Sequence, residues 1–238
     1  MEKYKDLFEV LSSFTLEDAF KVETYDRQYR ALEKLHSSLG DNELFFKLVL
    51  VNALLSYQLP TKGEVYWENF SRVFSEKKDL SKFEEFLKNY NNRFLSGKLK
   101  RLRKVLKAVE PLTKRELVQF CKNPEGLLNY LSKALKQDKS AKTLVFAVKM
   151  FLYACRIAGV KNATAPFDMD IPLDVRLKKI NPDREFWKTL AKRLGIPPLH
   201  LDAIVWTTLG GDMEFFNQIE DRELREKLLK LKEVLKTL

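Results

Sequence analysis

Glycine is scarce in this chain, at 8 of 238 residues. None are grouped as a phosphate-cradling loop, so neither the P-loop nor the dinucleotide-binding fingerprint is present. Histidine and cysteine are scarcer, at two each. Two cysteines, Cys121 and Cys155, do not make a disulfide scaffold. Two His and two Cys form a conventional structural zinc site only if all four converge. A four-cysteine iron–sulfur cluster is excluded within the chain. Both cysteines fall near apolar helical faces and read as unpaired packing residues. The most apolar stretch, 44–55, is interrupted by Lys47 and Asn52; it is too short to span a bilayer and reads as a buried core helix. The first residues lack the apolar core of a secretory signal. Together with unpaired cysteines, this places the expected compartment inside the cell. There is no low-complexity tract and no fixed-period repeat, which argues against a solenoid.

What is present is an ordinary globular composition, 45% hydrophobic and 32% charged. A chain of this length buries roughly 70% of its extended surface. The net charge of +10 points to a polyanionic partner, nucleic acid above all. A Lys- and Glu-rich surface from a heat-tolerant organism is the alternative source of that surplus. Apolar residues recur at three- and four-residue spacing almost throughout. Helices are expected near 4–13, 16–38, 42–58, 62–75, 79–94, 98–109, 113–120, 124–137, 141–158, 183–194, 197–209 and 212–236, which makes the fold class all-α. Thr61 to Glu64 reads as a capping box. Gly195 closes one helix, Pro197-Pro198 open the next, and Gly210-Gly211 end it through positive φ. The one long irregular stretch runs from about 159 to 180, and a long loop in a helical protein is more often functional than decorative.

The segment 141–158 carries two stripes. Leu144, Val148, Phe151 and Cys155 form the core face. Lys142, Phe146, Lys149 and Tyr153 lie within about 60° of one another on a different face. That second stripe is either a solvated surface or a working face that pairs an amine with aromatic rings. A lysine so placed can act as a nucleophile once its amine is neutral. Asp174, after Ile171-Pro172-Leu173, reads as a helix cap. Capping leaves the carboxylate ionised and fixed in direction, suited to stabilising a developing cation. The segment from Lys98 to Lys107 reads as a basic amphipathic helix. Its Leu99, Leu102 and Leu106 point inward and six cations point outward, available to a DNA backbone or simply solvated.

A helix that begins with a reactive lysine, then a connector, then an apolar-Pro-apolar-Asp-Val element, resembles the helix–hairpin–helix DNA glycosylases. The run from Gln137 to Met150, with Lys142 and Asp174 32 residues apart, is similar to their archaeal 8-oxoguanine DNA glycosylase/lyase branch. Asp26-Arg27-Gln28-Tyr29 and Asp202-Ala203-Ile204-Val205-Trp206 agree with it. One departure from the wider superfamily is a hairpin without glycine, residues 136–141 reading Lys-Gln-Asp-Lys-Ser-Ala.

The resemblance implies two helical lobes with a central cleft, one formed by about 1–40 with 165–238, the other by about 41–164, with Lys142 and Asp174 on opposite sides. It implies Lys142 as the Schiff-base nucleophile and Asp174 as its carboxylate. It also implies a pocket for a flipped base made by Gln28, Phe146, Lys149, Asp202 and Trp206, with Trp67 a weaker match. Lys136 and Lys139 would grip a phosphate by charge in place of glycine amides. Damaged DNA is the implied partner and a monomer the expected state, with no membrane, metal or organic cofactor. A glycosylase for another oxidised base, and a basic helical DNA-binding module without catalysis, are the alternatives.

Overall fold

Residues 2–238 are described by a computed structural model, and every regular element among them is helical. After a 3-10 turn at Glu2–Tyr4 come α1 (Lys5–Leu11), α2 (Leu16–Tyr25), α3 (Arg27–Leu39), α4 (Asn42–Leu55) and α5 (Gly63–Lys77). A second 3-10 turn, Leu80–Lys82, leads to α6 (Phe83–Tyr90), α7 (Leu95–Val109), α8 (Lys114–Lys122), α9 (Pro124–Leu135) and α10 (Lys142–Ile157). Then follow α11 (Val175–Ile180), α12 (Arg184–Leu194), α13 (Pro198–Gly210), α14 (Met213–Asn217) and α15 (Arg222–Lys236).

Short polar side chains start most of these helices by accepting the first free amides. Thr15 with Asp18 and Thr113 with Glu116 are reciprocal capping boxes. The box expected at Thr61 does not form. Helix α5 begins at Gly63 with Lys62 as an uncapped N-cap, which puts Glu64 one position too early to reach back. Two expected helices are each split. The 16–38 segment breaks at Asp26, whose ψ of 125° is extended. The 212–236 segment breaks before Asp221, which caps α15. Aspartate competes for nearby backbone amides, and the break at Asp26 is only one residue long, which leaves the apolar period almost intact. Gly195 closes α12 in the left-handed region at φ 68° as expected. Gly211, at φ −69°, does not use positive φ; a Cβ there would meet the Phe215 ring at 2.5 Å.

The chain divides into two compact units, Arg27–Thr164 and Met1–Asp26 with Ala165–Leu238. The N-terminal boundary falls at Asp26 rather than near residue 40. Helix α3 packs on α4, α5 and α10 through its buried Tyr29, Ala31, Leu32 and Leu35. At the centre of this unit is α4, buried from Phe45 to Leu55 except at Lys47. Its polar interruptions are partly satisfied, with Asn52 Nδ2 left without a hydrogen-bond partner among the described residues. Lys47 pairs with Glu43 at 2.6 Å, and Asn52 accepts from Tyr66 Oη at 2.7 Å. Phe70, Phe74, Phe83 and Phe86 pack as an aromatic cluster between α5 and α6.

The reading of unpaired cysteines is overturned. Cys121 on α8 and Cys155 on α10 form a disulfide with Cα atoms 5.6 Å apart. Each lies on an apolar face, as expected, but periodicity does not say which faces meet. The argument for compartment from free thiols falls with it, since intracellular proteins of hyperthermophiles also carry disulfides.

In the other unit, α13 packs on α2, α11, α12 and α15. Leu7 and Leu11 of α1 share one core with Leu224, Leu228 and Leu231 of α15, so the two ends of the chain stabilise each other.

Candidate active site

Within residues 27–164, the second stripe of α10 runs from solvent into the core. Lys142 is exposed, Phe146 half-buried, and Lys149 and Tyr153 buried. It is therefore no solvated face with stray aromatics. The Tyr153 ring has Lys149 Nζ and the Arg156 guanidinium each 5.7 Å from its centroid. Tyr29 meets it edge-on at 5.2 Å. Burial pushes the Tyr29 phenol up to about 12 and the Arg156 guanidinium down to about 9. Tyr29 thus stays neutral across the working pH range.

Helix α5 supplies the facing wall. Trp67 is fully buried and lies edge-on to Phe146, ring centroids 6.1 Å apart. Its indole N–H has no hydrogen-bond partner among the described residues, a costly state for a buried donor. One turn earlier on the same face is Gly63. The buried Gln28 amide lies over it, and a Cβ at residue 63 would come 3.2 Å from Gln28 Nε2. Gln28, Trp67, Phe146 and Lys149 are thereby brought onto neighbouring faces of α3, α5 and α10, with Lys142 one turn from Phe146.

The hairpin before α10 works without glycine. Lys136 takes the left-handed conformation at φ 52° and closes α9. Gln137 N donates to Ser132 O at 3.0 Å, and Asp138 Oδ1 accepts from Ser140 N at 2.8 Å. Lys136 and Lys139 are exposed. Arg101 of α7 clamps the turn from outside. It donates to Gln137 Oε1 at 2.9 Å, Thr143 Oγ1 at 3.2 Å and Leu54 O at 2.8 Å.

Sequence reasoning missed Arg101 and turned α7 incorrectly. Lys98, Leu102, Val105 and Val109 face inward, and Leu99 is only half-buried. The amphipathic period permits either assignment by a rotation of one position. Lys98 is held by Gln58 O at 3.2 Å, by Asn91 O at 3.3 Å and by Asn91 Oδ1. Burial, with Arg93 nearby, pushes its ammonium down to about 8.

In the other unit, Asp174 caps α11 as the sequence suggested. Its Oδ1 accepts from Arg176 N at 2.9 Å and Leu177 N at 3.0 Å. Its Oδ2 accepts from the indole N–H of Trp206 at 3.0 Å. The Arg176 guanidinium stacks on the Trp206 ring at 4.6 Å. It also passes over Gly210, where a Cβ would meet Nη1 at 2.6 Å. Asp202, one turn before Trp206, is 2% exposed. It is a buried residue of the helix's second turn. Helix α13 is itself anchored by a buried relay. His200 Nε2 accepts from Ala165 N at 3.0 Å, which leaves Nδ1 to donate to Glu23 Oε1 at 2.7 Å. With a sequence separation of 177 between His200 and Glu23, no local motif signals it.

Among the described residues, no group of three or more His, Cys, Asp or Glu side chains is placed to hold a metal ion. No helix among them is long and apolar enough to cross a membrane.

The chain is 41% identical over 233 residues to an N-glycosylase/DNA lyase of Thermococcus kodakarensis, covering 92% of this chain and 89% of the relative. An N-glycosylase/DNA lyase of Nanoarchaeum equitans is 42% identical over 201 residues, covering 84% and 88%. Among solved structures, the 8-oxoguanine DNA glycosylase of Pyrobaculum aerophilum complexed with 8-oxoguanosine superposes with a TM-score of 0.78 at 26% identity, covering 97% of this chain and 96% of that one. The model of one family, N-glycosylase/DNA lyase, matches residues 8–237, and the all-helical chain described here belongs to that family.

Proposed function

We propose that this protein excises 8-oxoguanine from DNA and cuts the strand at the resulting site, with Lys142 as nucleophile and Asp174 as its carboxylate. The observation that carries this reading is the aromatic and amide cluster beside Lys142. Trp67 keeps a buried N–H without a partner, next to a half-exposed Phe146 ring, one turn from an exposed lysine amine. A flipped purine stacked on Phe146 would offer an oxygen acceptor to that N–H, and Gln28 would contact the same edge. Lys149, Asp202 and Trp206 complete the proposed base site. The 8-oxoguanosine bound to the Pyrobaculum relative supports the choice of lesion.

In the proposed reaction the neutral Lys142 amine attacks deoxyribose C1′. The C1′–N9 bond breaks and the base leaves with its electron pair, taking a proton from solvent. Asp174 faces the positive charge that develops on the sugar and accepts the proton the amine loses. The nitrogen lone pair then forms the Schiff base as the C1′–O4′ bond breaks and O4′ takes up the proton that Asp174 accepted; C2′ gives up a proton, and the C3′–O bond breaks with loss of the 3′ phosphate. Hydrolysis then frees Lys142. None of these steps draws on a metal or organic cofactor. We further propose that the protein acts as a monomer on damaged DNA inside an archaeal cell.

Borohydride trapping on a duplex with one 8-oxoguanine tests the reading. A covalent adduct is expected with wild type, and none with Lys142→Gln or with undamaged DNA. An adduct that survives Lys142→Gln would assign the nucleophile elsewhere. Trapping only on a duplex with an oxidised pyrimidine would change the lesion.

A further inference from the structure

Asp174, Arg176 and Trp206 close a circuit within the unit formed by Met1–Asp26 and Ala165–Leu238. The Arg176 backbone N–H donates to Asp174 Oδ1 at 2.9 Å. The Trp206 indole N–H donates to Asp174 Oδ2 at 3.0 Å. The Arg176 guanidinium then returns over the Trp206 ring, 4.6 Å from its centroid. The ring is thus held at its edge by the carboxylate and on one face by the cation. A cation over an aromatic face is attracted by the ring's electron density. A planar guanidinium also stacks on the ring and fixes its plane, where a compact ammonium has no plane to offer.

Gly210 shows that the sequence makes room for this contact. It is the last residue of α13, one turn beyond Trp206 on the same face. Its φ is not positive, so the backbone does not require glycine there. The guanidinium does: an added Cβ would come 2.6 Å from Arg176 Nη1 and 3.4 Å from Cζ. Nor is this end of the helix free to retreat. Lys232 of α15 donates to Thr208 O at 3.1 Å, Leu209 O at 2.9 Å and Gly211 O at 3.1 Å. On the basis of the reading above, in which Asp174 is the carboxylate of the reaction, we infer that Arg176 is a positioning residue for base excision. It acts through Trp206 and not on the reacting atoms. By fixing the indole plane it aims the indole N–H, and so sets the direction of Asp174 Oδ2. Oδ1 is already fixed by the backbone amides of Arg176 and Leu177.

The test is single-turnover trapping on the 8-oxoguanine duplex over a range of protein concentrations, which separates the maximal rate from the half-saturating concentration. Arg176→Met keeps the length of the side chain and removes the planar cation. The maximal rate is expected to fall about 3- to 30-fold, the scale of a desolvated cation–aromatic contact, with half-saturation unchanged. Arg176→Lys returns the charge without the plane and should recover only part of the rate. In a Trp206→Phe background, which already lacks the N–H, Arg176→Met should cost less than about twofold more. Gly210→Ala displaces the guanidinium without straining the backbone. It should slow the otherwise wild-type protein at an unchanged melting temperature, yet change the rate by less than about twofold in the Arg176→Met background. No loss in Arg176→Met, or full additivity with Trp206→Phe, would overturn the inference. So would a raised half-saturation at an unchanged maximal rate, which would make Arg176 a contact to the DNA backbone. Asp174→Asn that traps at the wild-type rate would overturn the role given to Asp174 and this inference with it. Wild type that forms no adduct would overturn the glycosylase reading itself.

Discussion

Trp206 illustrates how much one residue's role depends on its partner. As a large aromatic on α13 it reads from sequence as a stacking or packing residue. The structure adds that its N–H is bonded to Asp174 Oδ2 while Arg176 covers one face of the ring. Asp174 therefore has both oxygens fixed, one by two backbone amides and one by the indole. Replacing Trp206 with Phe keeps a flat ring and removes only the donor. A hydrogen bond to a charged acceptor contributes about 1.5–3 kcal/mol, so the trapping rate should fall about 10- to 100-fold. Binding of free 8-oxoguanosine should stay within about threefold, since stacking is kept. If binding collapses with the rate, the indole N–H serves binding as well as the reaction. Gly63 gives a gentler probe. Gly63→Ala crowds the Gln28 amide at 3.2 Å, so Gln28 must move by a few tenths of an ångström. Discrimination between 8-oxoguanine and guanine duplexes should narrow while melting temperature holds.

At the scale of elements, α7 carries a pH dependence. The Lys98 ammonium gives up its proton near pH 8 in the folded protein, but near 10.4 when the chain is unfolded. Between these values the unfolded chain binds more protons, so stability rises with pH across that window. The cost of the buried charge is fully present below pH 8. Thermal melts from pH 7 to 10 should show wild type gaining on Lys98→Met as pH rises. A constant difference would mean that Lys98 does not titrate there. The disulfide joins α8 to α10 across 34 residues. Closing a loop of that length stabilises by roughly 3–4 kcal/mol in the chain-entropy model. Cys121→Ser should lower the melting temperature by about 10 °C, and a reductant should bring wild type to the same value. Both devices were hidden in the sequence for one reason. Caps and apolar spacing show that residues are helical, and so 113–120 and 141–158 were legible. They do not show which faces meet, which left Cys121 unmatched to Cys155 and Lys98 turned outward. The proposed site residues come from the Lys142–Asp174 block and its flanking motifs; Arg101, Arg176 and the Glu23–His200 relay belong to no local pattern.

For the molecule as a whole, the net charge of +10 conceals a division. Residues 27–164 carry 27 Lys and Arg against 13 Asp and Glu, a surplus of 14; the remaining residues carry 16 against 20. The unit that holds Lys142, the hairpin and α7 is therefore strongly cationic, and the unit that holds Asp174 is mildly anionic. Attraction to a polyanion falls on the first, where Lys136, Lys139, Lys100 and Lys104 are all exposed. Each phosphate neutralised releases a counterion, and the logarithm of affinity then falls with the logarithm of salt concentration at a slope of about −0.9 per contact. Titration of an undamaged duplex at several salt concentrations counts those contacts without any chemistry. The Lys136→Gln, Lys139→Gln pair should reduce the slope by about 2, one unit for each phosphate gripped. Charge removal at Lys178 and Lys179, exposed on α11 of the anionic unit, should change it by less than half a unit. Equal changes from both pairs would mean that the duplex senses only the overall charge of the protein. A larger effect from α11 would move the phosphate contacts away from the hairpin altogether.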